Sequence, residues 1–139
     1  MGRTDDVINV AGHRLSTGRI EEVVAEHPAI AECAVVGIAD AEKGQVPVGL
    51  LLVKDGVNLE ASILQAELVQ AVRNAVGPIA NFKRALIVTR LPKTRSGKIL
   101  RKVIRKMIDG ESYTVPSTID DPAIIDELHQ TLSSQGWIK

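Results

Sequence analysis

Lys98 lies in a stretch dense in cations, Leu91-Pro92-Lys93-Thr94-Arg95-Ser96-Gly97-Lys98-Ile99-Leu100-Arg101-Lys102. Pro92 sets φ and ends a preceding strand. Gly97 permits a tight bend. Beyond it Ile99, Leu100, Val103, Ile104, Met107 and Ile108 recur at helical spacing and predict a helix from about Lys98 to Ile108. Lys98 then stands where a flexible turn meets the first helical turn, an end whose dipole favours anions. A cation there predicts presentation to an anionic ligand. Most lysines at such junctions are simply solvated, so the surrounding pattern must decide. A nucleotide phosphate loop is excluded: it needs glycine at position 92, where Pro92 stands, and Ser or Thr after the lysine, where Ile99 stands.

The chemistry around Lys98 is one-signed. From Lys83 to Lys106 there are ten Lys or Arg and no Asp or Glu, and from Asp109 to Glu127 only acidic charges follow. The basic run attracts an anion, yet the chain as a whole has net charge +0, which argues against a general nucleic-acid binder. Aromatics are only Phe82, Tyr113 and Trp137, too few for a base-stacking platform. Cys33 is the single cysteine, so no internal disulfide forms and a reducing, cytoplasmic setting is expected. No apolar run approaches the ~18 residues of a membrane span, and no signal peptide is visible.

The 139 residues suffice for one domain with a moderate core of Val, Ile, Leu and Ala. Residues 3–17 read as a turn, a short strand containing Val7, Ile8 and Val10, and a second turn at Gly12-His13-Arg14. Ser16 or Thr17 caps a helix with Glu21 and Glu22 in its first turn and Ile20, Val23 and Val24 on its buried face, stopped by Pro28. Apolar runs at 31–39 and 46–53 predict buried strands. Leu64, Leu68, Val72 and Val76 fall four apart in a helix over 60–76 that Gly77-Pro78 stops. A third strand, 85–89, leads into the lysine run, and residues 122–132 form a last amphipathic helix. This order predicts an α+β fold, a small mixed β-sheet with helices packed on it.

Three segments, residues 2–17, Val72-Arg73-Asn74-Ala75-Val76-Gly77-Pro78, and Pro92-Lys93-Thr94-Arg95-Ser96-Gly97-Lys98-Ile99-Leu100-Arg101, stand in this order and spacing. Together they closely resemble the C-terminal lid domain of AMP-forming acyl-CoA synthetases, best the acetyl- and propionyl-CoA synthetase branch of the adenylate-forming enzymes. The likeness spans residues 2 to about 132. Ser117-Thr118-Ile119-Asp120-Asp121-Pro122 resembles the tail of propionyl-CoA synthetase-like members. The resemblance implies that residues 1–139 are one C-terminal domain cut at an interdomain hinge, residues 3–6, with the large N-terminal domain absent. It also implies ATP, AMP, CoA and a short-chain carboxylate as ligands, with Mg²⁺ held mainly by the large domain, and that domain as the chief partner. This domain alone is expected to be inactive.

Residue by residue, the resemblance assigns Lys98 as the adenylation lysine, a charge that stabilises the α-phosphate as a carboxylate attacks it. The same lysine is an acetylation target in the family, which makes a protein lysine acetyltransferase and deacetylase expected partners; acetylation removes the charge. Asp5 matches the hinge, Arg3 the nucleotide ribose contact, and Arg14 an arginine near the AMP phosphate. Gly12 matches the pantetheine tunnel and Arg73 the CoA 3′-phosphate contact. Ala11 departs from the serine common at its position. His27 matches a site where some relatives bind Mg²⁺ with the carbonyls of residues aligned to Ala25 and Ile30, although Mg²⁺ prefers oxygen and a role at the helix C-terminus competes. The other class of function is a basic binding or regulatory module docking nucleic acid or an acidic partner. No recognition signature accompanies the basic run, so no nucleic acid and no membrane are expected partners.

Overall fold

The computed structural model describes residues 7–139. Arg3 and Asp5, and the expected hinge at residues 3–6 with them, lie outside the described residues. The described chain divides into two compact units, one ending at Ile87 and one running Val88–Lys139.

The first unit contains β1 (Val7–Val10), β2 (His13–Ser16), α1 (Thr17–Ala25), β3 (Ile30–Asp40), β4 (Gly44–Val53), α2 (Ala61–Ala75), a 3₁₀ turn (Pro78–Ala80) and β5 (Arg84–Ile87). The strands form one sheet in the order β2-β1-β4-β3, with β5 alongside β4. β5 runs parallel to β4 and every other pair is antiparallel, so the sheet is mixed and the fold is α+β as expected.

The polar Gly12-His13-Arg14 segment is not a simple break. Ala11 and Gly12 form a two-residue turn with φ of 50° and 87°, and β2 follows at once, pairing Val10 with His13. Two positive φ values match the right-handed strand twist, as in type I′ hairpins. The Ala11 amide donates to the Lys43 carbonyl at 2.7 Å, tying this turn to the β3–β4 connection.

Ser16 caps α1, its Oγ accepting the Arg19 amide at 3.2 Å. Glu21 and Glu22 lie beyond the first turn of α1, contrary to the expectation, and Glu21 serves the sheet instead: its Oε2 accepts the Val35 amide at 2.9 Å. The residues four apart on α2, Leu64, Leu68 and Val72, are buried with Ile20, Val24, Ile30, Leu51 and Phe82 in one core. Each such burial stabilises by about 1.5–3 kcal/mol, and truncating one, as in Leu68→Ala, costs about 2–5 kcal/mol. Gly37 has its reason in packing, because Ile8 covers the place a Cβ would take.

The second unit holds α3 (Arg101–Ile108) and α4 (Ala123–Ser134). Val103, Ile104, Met107 and Ile108 of α3 and Ile124, Ile125, Leu128 and Leu132 of α4 are buried. The chain end returns to α3, where the Lys139 amide donates to the Ile108 carbonyl at 2.9 Å. The helix predicted from Lys98 begins three residues later. Ile99, which continues the helical period, instead pairs with Lys93 in an antiparallel bridge.

Candidate functional site

Lys98 stands on a tight hairpin, two residues before the α3 N-cap Leu100, and not in the first turn of a helix. The hairpin is made by hydrogen bonds on both sides of the Arg95-Ser96 turn. The Thr94 amide donates to the Lys98 carbonyl and the Gly97 amide to the Thr94 carbonyl, each at 2.9 Å. The Thr94 Oγ1 accepts the Lys98 amide at 3.1 Å and lies 2.9 Å from the Ser96 hydroxyl. Gly97 takes φ 94°, a left-handed value that glycine adopts without strain. Arg95 through Lys98 are exposed, and among the described residues no carboxylate pairs with the Lys98 ammonium. A fixed backbone with an unpaired, flexible ammonium can deliver a point charge to an anion.

The hairpin has a third strand. Thr94 bridges Ile119, the Arg95 amide donates to the Thr118 carbonyl at 2.9 Å, and the Asp120 amide donates to the Lys93 carbonyl at 2.8 Å. Just upstream, the Arg90 guanidinium grips two carboxylates: Asp121 at 2.7 Å, and Glu127 through Nη2 at 2.9 Å and Nε at 3.3 Å. The Thr89 hydroxyl donates to Glu127 at 2.7 Å. The Arg90 hydrogen bonds hold both carboxyls below their ordinary range, aided by the Ala123 amide at Asp121 and by Thr89 at Glu127, and they raise the guanidinium further. Sequence reading missed this cluster. Arg90 meets its partners 31 and 37 residues away, and no local pattern marks such a pairing.

The other expected site residues lie in the first unit. Gly12 sits in the β1–β2 turn and Arg14 on the exposed β2, paired in register with Asn9, so one hairpin carries both. Nothing lies within 4 Å of a Cβ built on Gly12, and its φ alone already calls for glycine. Arg73 is exposed in the last turn of α2, beside a notch lined also by Gly77, Pro78, Asn81 and Lys83. Arg14 and Arg73 have no ion-pair partner among the described residues.

His27 does not suit Mg²⁺. Its Nδ1 accepts the Ala29 amide at 3.0 Å, so the other ring nitrogen bears the proton and donates to Glu67 at 2.7 Å. Nδ1 closes the α1–β3 corner on itself and Nε2 ties that corner to α2, so no lone pair remains for a metal. Among the described residues, no group of three His, Cys, Asp or Glu side chains is placed to hold an ion.

The sequence model of the family described as "AMP-binding enzyme C-terminal domain" matches residues 19–98, more than half of the chain, and ends on Lys98. The chain belongs to this family. Among proteins similar to this C-terminal domain, an uncharacterised protein of Pseudomonas aeruginosa is 61% identical over 132 residues, covering 95% of this chain and 21% of that protein. The mitochondrial "acyl-CoA synthetase short-chain family member B" of Dictyostelium discoideum is 52% identical over 128 residues, covering 92% of this chain and 19% of that protein. The crystal structure of an acyl-CoA synthetase of Brucella canis superposes with a TM-score of 0.68 at 33% identity, over 76% of this chain and 19% of that one. The domain thus spans about a fifth of the length of the relatives it matches.

Proposed function

We propose that this domain is the mobile C-terminal part of a short-chain acyl-CoA synthetase, acting with a large domain that holds the acyl pocket and most of the ATP site. The overall reaction converts ATP, a carboxylate and CoA to acyl-CoA, AMP and pyrophosphate, with acetate or propionate as the acid. The observation that carries this reading is the Lys98 ammonium, unpaired among the described residues, on a hydrogen-bonded hairpin at the end of the family match.

In the first half-reaction a carboxylate oxygen bonds to the α-phosphorus of ATP and the bond to pyrophosphate breaks. Both reactants are anionic. Lys98 draws them together and offsets charge gathering on the α-phosphate oxygens. In the second, the sulfur of CoA, its proton lost, bonds to the acyl carbon and AMP leaves. The domain presents a different face to each step, turning at Asp5, with Arg3 on the ribose. Arg14 holds the AMP phosphate, for which a guanidinium fork is suited. Gly12, on the same hairpin, leaves room for pantetheine, and Arg73 meets the CoA 3′-phosphate. Mg²⁺ accompanies ATP in the large domain, and no step uses His27. Acetylation of Lys98 would remove the charge that adenylation needs.

Product analysis tests the reading. Joined to its large domain, the chain should form acetyl- or propionyl-CoA with stoichiometric AMP, and Asp5→Pro should block one half-reaction while sparing the other. Formation of ADP in place of AMP, or both half-reactions unchanged in Asp5→Pro, would contradict it.

A further inference from the structure

We propose that Arg90 is a positioning residue that sets the Lys98 hairpin by clamping the C-terminal tail against it, an assignment that rests on Lys98 acting in adenylation. A hairpin as short as Lys93–Ile99 is marginal by itself. The Ser117–Asp120 segment makes it three-stranded through the Thr94–Ile119 bridge and the two backbone hydrogen bonds at Arg95 and Asp120. Arg95 adds a side-chain bond to the Ser117 carbonyl at 3.3 Å. That added strand needs fixing at both ends. Ile119 is buried in its middle. At its C-terminal end Asp121 accepts from Arg90 through one oxygen and from the Ala123 amide, at the start of α4, through the other.

Arg90 therefore joins the chain just before the hairpin to the chain just after the third strand, and Glu127 on α4 takes the remaining prongs of the guanidinium. An isolated exposed ion pair is worth little, but a planar fork shared by two carboxylates, with a threonine on one of them, fixes geometry as well. The family match ends at Lys98, so the partners of Arg90 all lie beyond it. The tail is thereby part of the lysine's support.

Amide exchange and half-reaction rates on the synthetase carrying Arg90→Ala test this. The Thr94, Arg95, Lys98 and Asp120 amides should exchange about tenfold faster, while those of Val36 and Leu50 in the sheet stay unchanged, because local opening need not follow global unfolding. Adenylation should fall about three- to tenfold, with thioester formation from supplied acyl-adenylate within about twofold, as for loss of one charge-assisted contact. Arg90→Lys should recover part of both, and Glu127→Gln should reproduce a milder form in a chain that keeps Arg90. Unchanged exchange at the hairpin in Arg90→Ala and Glu127→Gln, or equal loss in both half-reactions, would overturn the assignment. Should Lys98→Ala itself leave adenylation intact, the catalytic reading of Lys98 fails, and the exchange data still decide whether Arg90 holds the hairpin.

Discussion

Thr94 holds Lys98 at two points of its backbone and Gly97 at one: its amide donates to the Lys98 carbonyl, its Oγ1 accepts the Lys98 amide, and its carbonyl accepts the amide of Gly97 next door. The side chain of Lys98 is left to move while its Cα is placed. A catalytic cation needs that division, because placement of the charge lowers the barrier and the stem must still adapt to two anions.

Removing only the hydroxyl contact separates placement from charge. Thr94→Val should lower adenylation about fivefold, the equivalent of the ~1 kcal/mol net worth of one hydrogen bond. Thr94→Ser should stay close to the parent rate. Pyrophosphate release under single-turnover conditions reads the difference.

The Arg90 cluster should give the hairpin an acid limit. Asp121 and Glu127 have carboxyl pKa values lowered in the folded chain from ordinary values of 3.8 and 4.5. A lowered pKa means stability that is present above the unfolded-state value and lost as pH falls through the folded one. Hairpin exchange should therefore be flat from pH 7 to about pH 5 after correction for the intrinsic pH dependence of exchange, and should rise as the medium is acidified below the range where free carboxylates titrate. In an Asp121→Asn/Glu127→Gln chain that acid rise should vanish. Its persistence there would place the acid sensitivity elsewhere.

Two glycines should fail for different reasons. Gly12→Ala meets no neighbour but forces a φ of 87° on an L-residue, a cost of about 1–2 kcal/mol. Gly37→Ala meets Ile8 in a packed strand and should cost about 1–3 kcal/mol from overpacking. Ile8→Ala should recover part of the second loss and none of the first, so a double-mutant cycle by urea unfolding distinguishes them.

The parts legible in sequence are those that repeat a local signal. Leu64, Leu68 and Val72 announce α2 because burial of one stripe imposes the helical period, and the apolar run from Ala34 to Ile38 announces β3 because it is buried throughout. β2 escaped notice because its four residues carry no apolar alternation, and Ala11 is an unusual occupant of a left-handed turn position. The start of α3 was misplaced because Ile99 fits a helical stripe and a bridge to Lys93 equally well, and the hairpin's third strand, 20 or so residues downstream, decides between them. For the site, the spacing of the lysine motif was readable and its support was not. Arg90 looks like any other cation in a basic run until the tail folds back on it.

The central claim is that Lys98 works in one half-reaction only. Lys98→Ala in the synthetase should reduce acyl-adenylate formation, followed by ATP–pyrophosphate exchange, by about 10²–10³-fold, the scale of losing one preorganised electrostatic contact. Acyl-CoA formation from supplied acyl-adenylate should remain within about twofold of the parent enzyme, since the proposed role of Lys98 is confined to adenylation. Equal loss in both half-reactions, or full adenylation without the lysine, would contradict the account.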